Sequence, residues 1–308
     1  SRRGSYVFRV SVSSPLLGGY DVPETLSYQI NLNCPIGADV RQLPAQVDRD
    51  FFGLDGSLQS TRFGTRFGEV GDYDLGVFGA YSKGEIDFRD RSGEISYRSL
   101  NIGLSAIRET NWGDISAGAI YGKHTFEESR HIMFSGVSEE ARSNYIAHSV
   151  DLHLKAQMAD ISQNPEISIK PNLSLSAQGV WVDGYSETGA GAFNLKRAPF
   201  SSWAMTSGIG IDVSWKPSSS NWTLLGGAEW NHHLFQHSEV LSSRFKTSSK
   251  GSFEHRRAKS DRNSLGLYLG LEKKLGEAGG IQLSIGSQST ASGGFSGIKA
   301  SFSAGWRF

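Results

Sequence analysis

A two-residue alternation of apolar and polar side chains recurs from about residue 50 to the C-terminus. In the last stretch Ile298, Ala300, Phe302, Ala304, Trp306 and Phe308 alternate with Lys299, Ser301, Ser303, Gly305 and Arg307. Near 265, Leu265, Leu267, Leu269 and Leu271 oppose Ser264, Gly266, Tyr268, Gly270 and Glu272. Val150, Leu152, Leu154 and Ala156 likewise oppose Ser149, Asp151, His153 and Lys155. Successive side chains of a strand point to opposite faces, whereas a period of 3.6 would mix the two sets. The pattern confines the chain to β-sheet with one apolar and one polar face.

Strand patterning is present near 5–14, 50–62, 73–90, 93–108, 112–126, 142–157, 166–184, 200–216, 221–236, 262–274, 280–290 and 296–308, and is faintest in the first. The links sort into two kinds. Thr110–Asn111, Ala159–Gln163, Pro217–Ser220 and Gly276–Gly279 are short and turn-like, while 127–141, 185–199 and 237–261 are longer and more charged. Short links at 89–92 and 291–295, and a rather long one at 63–72, depart from this rule without breaking the parity. Short turns at one end and long loops at the other are the mark of a transmembrane barrel. The expected fold is therefore all-β: a transmembrane antiparallel β-barrel of twelve strands, with short periplasmic turns and longer extracellular loops.

A soluble β-sandwich also alternates, and mean hydropathy of −0.33 with 31 acidic and 31 basic residues looks soluble. In a barrel only every second strand residue meets lipid, so average hydropathy stays low. No run of 18 apolar residues exists, which excludes a transmembrane helix but not a barrel. Aromatic residues stand near the expected strand ends: Tyr73, Trp112, Trp203, Trp215, Trp222, Trp230, Trp306 and Phe308. Girdles of rings straddling wet and apolar regions account for that placement. The opposite face carries Asp151, His153, Lys155, Asp212, Lys216 and Glu229, which a sandwich core would not. Ions inside a narrow barrel must be paired or hydrated, so Asp151, His153, Lys155, Asp183, Glu187, Asp212 and Glu229 are expected to line the lumen.

Nothing in the sequence calls for a cofactor or a metal. His232 and His233 are strand neighbours pointing to opposite faces, and a loop site of His233 with His237 is weaker than plain solvation. Serines such as Ser149 or Ser284 can be paired on paper with His153. No Gly-x-Ser-x-Gly elbow supports a hydrolase, so no enzyme is expected, and a barrel phospholipase is the third reading. The balanced charge argues against nucleic acid. The basic run Lys250, Arg256, Arg257, Lys259 and Arg262 reads as a surface loop facing lipopolysaccharide. A lone Cys34 forms no internal disulfide. The start Ser1-Arg2-Arg3 carries no leader, so any signal peptide is expected to be removed or to lie upstream.

The terminal alternation ending in Phe302, Trp306 and Phe308 resembles the last strand recognised by the outer-membrane assembly machinery. More specific is the order of later segments. Ile169–Trp181 resembles the "P-x-a-x-l-x-y" strand of classical (type V) autotransporter barrels, and Asp183–Ala190 their acidic "E-x-G-a" segment. Gly208–Ile211, Ala228–His232 and Gly266–Leu271 follow in the family's order, and Phe52–Asp55 and Leu75–Tyr81 resemble its second and third strands. The likeness covers about 50–308. It implies a monomeric barrel in the outer membrane of a Gram-negative bacterium. Such a barrel anchors an N-terminal passenger and takes part in exporting it with the assembly machinery. A porin or transport channel is the alternative. The family's first strand and pore helix have no evident counterpart. Residues 1–49 are expected to hold a first strand plus a long loop or linker, with Pro15, Pro23, Pro35 and Pro44 in 15–49, and 50–308 the remaining barrel.

Overall fold

The computed structural model describes residues 35–45, 54–88, 93–134, 136–238, 241–248, 252–255, 262–275, 279–290 and 296–306. Strands β1 (Pro35–Ala45), β2 (Leu54–Val70), β3 (Tyr73–Phe88), β4 (Gly93–Thr110), β5 (Gly113–Phe134), β6 (Val137–Met158) and β7 (Ile167–Val182) come first. Short strands β8 (Tyr185–Ser186) and β9 (Leu195–Arg197) follow, then β10 (Phe200–Trp215) and β11 (Trp222–Ser238). After β12 (Leu241–Phe245) and β13 (Phe253–His255), β14 (Asn263–Leu275), β15 (Gly279–Thr290) and β16 (Ser296–Trp306) complete the series. Among the described residues, twelve of these strands pair antiparallel in a closed ring. Pairing of β1 with β16, from Pro35 opposite Gly305 to Gln42 opposite Ile298, shuts it and leaves no free edge.

Burial identifies the solvent of the outer face. On β4, Leu100, Ile102 and Leu104 are 64%, 58% and 57% exposed, while Ser99, Asn101 and Ser105 between them are buried. A water-soluble sheet has the opposite polarity. Apolar residues outside and polar residues inside are stable only with lipid around the barrel and hydrogen-bonding partners within it. Outward rings at Tyr73, Trp112, Trp203, Trp215, Trp222 and Trp230 are all exposed, as a girdle requires.

Several boundaries depart from the sequence reading. The patterning at 5–14 lies outside the described residues, and the first described strand, β1, falls inside the stretch read as loop or linker. Pro35 and Pro44 sit at its ends and obscured a short Ile36, Ala38, Val40 alternation. The long link expected at 63–72 is a two-residue turn, Gly71–Asp72, with Gly71 at φ +61°. The loop expected at 127–141 is mostly strand, since β5 and β6 stay paired from Arg130 opposite Ala141 to Phe134 opposite Val137. Beyond the bilayer both faces of a ribbon are wetted, so charge no longer marks a break in the strand. The long links expected at 185–199 and 237–261 carry β8, β9, β12 and β13, which form a second sheet in the order β13-β12-β9-β8.

Candidate functional site: the capped lumen

At the end of the barrel holding the short turns, Asp212 on β10 collects hydrogen bonds from three other strands. Its Oδ2 accepts from Lys155 Nζ at 3.2 Å, Gln157 Nε2 at 2.8 Å and Asn172 Nδ2 at 2.9 Å. Its Oδ1 accepts from the Tyr268 hydroxyl at 2.6 Å. Tyr268 belongs to β14, two strands away, and crosses β11 at Gly227, which is opposite both residues. A Cβ at Gly227 would overlap the Tyr268 ring, so glycine is what opens the path. Glu229 on β11 similarly reaches over β10 to accept from Ser174 Oγ of β7 at 2.9 Å. The Lys155, Gln157, Tyr268 and Ser174 contacts each pass over one intervening strand on the inner face of the ring. Asp151 and His153 of β6 are buried on the same inner face, and neither ring nitrogen of His153 has a hydrogen-bond partner among the described residues.

The inner wall changes character towards the other end. Ile95, Tyr97, Phe126, Tyr145, Ala147, Val180, Val182 and Tyr185 form one buried cluster, with Phe126 stacked on Tyr145 at 4.9 Å and Tyr145 on Tyr185 at 4.1 Å. His124 threads through it, bonded by Nδ1 to the Tyr97 hydroxyl at 3.0 Å and by Nε2 to Ser149 Oγ at 2.9 Å. Ser149 thus meets His124 and not His153. Both residues are buried, and the His124 ring stacks on Tyr97.

Above this cluster the small sheet forms a cap. Tyr185, Glu187, Leu195, Arg197, Leu241 and Ser243 are buried in it, and Tyr185, Glu187 and Arg197 reach inner-face residues of β5 and β6. Glu187 takes a two-pronged contact from Arg130, Nε to Oε1 at 3.1 Å and Nη2 to Oε2 at 2.6 Å, and its Oε2 also accepts from the Leu195 amide at 2.7 Å. Arg197 lies over the Tyr185 ring, 5.3 Å from its centroid, and pairs with Glu128 at 3.5 Å. Burial pushes the Tyr185 hydroxyl well above the ordinary tyrosine pKa, and the Glu128 carboxylate adds to the effect. Burial opposes the Arg197 charge, but Glu128, Tyr185 and Glu187 more than offset it, so that guanidinium stands above its usual value. The Arg142 and Thr188 amides each donate to the other's carbonyl, at 2.7 and 2.8 Å, tying the cap's edge to β6.

Of the residues expected to line one lumen network, the structure joins Lys155 and Asp212. Glu229 bonds separately to Ser174, and Asp151 and His153 lie buried beside them on β6. Asp183 is exposed where β7 ends, and Glu187 belongs to the cap. His232 bonds Asn263 and His233 bonds Thr206, while His237 is exposed, so no histidine pair converges. Among the described residues no group of three metal-ligating side chains gathers. Phe302 is exposed, Trp306 ends β16 opposite Gly279, and Phe308 and most of 250–262 lie outside the described residues. Sequence reasoning missed Glu128, Arg130 and Arg197 because all three stand in stretches read as loops, and Arg197 pairs with Glu128 from 69 residues away. Tyr268 was legible only as a polar-face position.

The family model of the autotransporter beta-domain matches residues 45–286. No curated protein sequence matches the chain. Among solved structures, the translocator domain of the autotransporter NalP from Neisseria meningitidis is similar with a TM-score of 0.68 at 14% identity, covering 89% of this chain and 88% of that one. The beta domain of the Bordetella autotransporter BrkA gives 0.59 at 9% identity, covering 89% and 99%. The transport unit of AIDA-I from Escherichia coli gives 0.55 at 16% identity, covering 89% and 90%. The chain belongs to the autotransporter beta-domain family: it is a non-enzymatic translocator barrel of the Gram-negative outer membrane that serves passenger secretion.

Proposed function

We propose that the barrel anchors its own N-terminal passenger and that the passenger's route runs along the polar inner wall and out beneath the cap. Asp151, His153, Lys155, Asp212 and Glu229 line the lower route, a polar surface on which Lys155 answers Asp212 and Ser174 donates to Glu229. Asp183 stands at the rim and Glu187 latches the cap. The cap is the observation that supports this reading best. The first of its loops bears on inner-face residues of β5 and β6 and the second pairs with it through β12 and β9, so passage of a chain requires the cap to lift. Phe302, Trp306 and Phe308 serve as the assembly signal read by the barrel assembly machinery, the barrel acts as a monomer, and its lipid partners include lipopolysaccharide. No nucleotide hydrolysis is built into the barrel itself.

The latch is testable by tethering. Arg142 and Thr188 exchange both backbone hydrogen bonds, a pairing with Cα atoms about 5.5 Å apart, within disulfide range. In a Cys34→Ser background, Arg142→Cys with Thr188→Cys should conduct less in planar bilayers when oxidised and recover on reduction. Equal conductance in both states, with the disulfide verified by mass spectrometry, would contradict a lifting cap.

A further inference from the structure

The outer face of β3, β4 and β5 carries a basic cluster that the export mechanism does not use. Lys83 of β3 and Arg98 of β4 are directly opposite one another, and both are exposed on the lipid-facing parity. Lys123 of β5 is opposite Leu100, one outward position further down, and faces His148 of β6 on its other side. Like charges placed directly opposite on a sheet repel, so the row gains from any counter-charge beside it. Arg98 has an exposed bond to Glu127 at 3.1 Å. Lys83 and Lys123 have no ion-pair partner among the described residues.

The height of the cluster decides its partner. Along β4 the outward residues Leu100, Ile102, Leu104 and Ala106 are bracketed by Arg98 above and by Arg108, paired with Asp72, at the turn end. Ten residues at about 3.3 Å rise and ~40° tilt span roughly 25 Å, the height of a barrel's apolar band. Arg98 therefore lies at the headgroup level of the outer leaflet. Just below it, Tyr81 and Leu100 occupy one cross-strand row with Lys123, and Tyr121 bonds His148 at 2.6 Å. Cations over an apolar and aromatic shelf fit a ligand with phosphates above acyl chains. We propose that Lys83, Arg98 and Lys123 form a binding site for a phosphorylated glycolipid of the outer leaflet, the phosphates bridging the three cations and the chains lying on the shelf. The site depends on membrane placement and not on the route of the passenger, so export and lipid assays fail independently.

Native mass spectrometry of the full chain in detergent, titrated with diphosphorylated lipid A, tests the site. Lys83→Gln with Arg98→Gln and Lys123→Gln should weaken binding on the order of a hundredfold, taking roughly a factor of five per cation. Arginine at 83 and 123 should retain binding, and Arg108→Gln at the opposite boundary should leave it unchanged. Heat-modifiable migration of each variant verifies the folded barrel. Undiminished binding to the glutamine variant would overturn the proposal. So would equal affinity of the parent for dephosphorylated lipid A, or for phosphatidylglycerol, which would make the cluster a generic surface charge.

Discussion

At the scale of single residues the barrel is held from inside by a few carboxylates with many donors. Lys155 and Asp212 are largely shielded, with 13% and 16% of their side chains exposed, so neutralising one strands the other. Asp212→Asn should therefore cost about 3 kcal/mol, at the low end for breaking a buried ion pair. Tyr268→Phe, which removes one bond to a charged acceptor, should cost about 1.5 kcal/mol. Gly227→Val should match or exceed the Tyr268→Phe loss, because a side chain there pushes the ring off Asp212. Urea unfolding in liposomes followed by tryptophan fluorescence ranks the three. A wild-type midpoint for Asp212→Asn would contradict the hub. Glu187→Gln acts elsewhere: it should free the cap without lowering barrel stability, seen as faster amide exchange confined to 185–197.

Elements show where the sequence was legible. Barrel strands such as β4, β10 and β14 announced themselves by alternation, because lipid enforces one apolar face, whereas β1, with Pro35 and Pro44 at its ends, did not. The turn at Gly71–Asp72 and the ribbon of 127–141 did not, since outside the bilayer nothing penalises a polar residue on either face. The cap was invisible for another reason. Its strands are two to five residues long, and its partners are set by the closed ring rather than by neighbouring sequence. The lumen residues were readable as a parity class, but not their pairing, because Asp212 meets Tyr268 only through the gap at Gly227. At the end of the barrel near Asp212 the turn after β6 is fastened by carboxylates. Backbone amides of Ile169 and Ser162 hold Asp160 below the ordinary carboxylate range, and Ser218 does the same for Glu166. Depressed values mean that this fastening is present above the usual carboxylate pKa and lost as pH falls through the lowered ones. Protection of the Ile169 and Ser218 amides, measured against their intrinsic exchange rates, should therefore fall on acidification below the carboxylate range, and Asp160→Asn should reproduce the loss at Ile169 at neutral pH. Protection unaltered by either would contradict the assignment.

The whole molecule is a closed sheet with three environments stacked along its axis: polar wall, aromatic collar and ion-paired cap. In the proposed route, a cap built from two loops and latched at its edge lets one chain pass and then reseals. The account predicts that the parts are separable. Removing the latch should raise conductance without affecting insertion, and trimming Phe308 should slow insertion without altering the conductance of barrels that do form. The most direct measurement fuses an epitope-tagged reporter upstream of Ser1, behind a cleavable signal peptide, in a Gram-negative host. Externally added protease should then cleave the reporter on intact cells carrying the heat-modifiable barrel. A reporter that stays protected in the periplasm while the barrel is folded in the outer membrane would contradict the account.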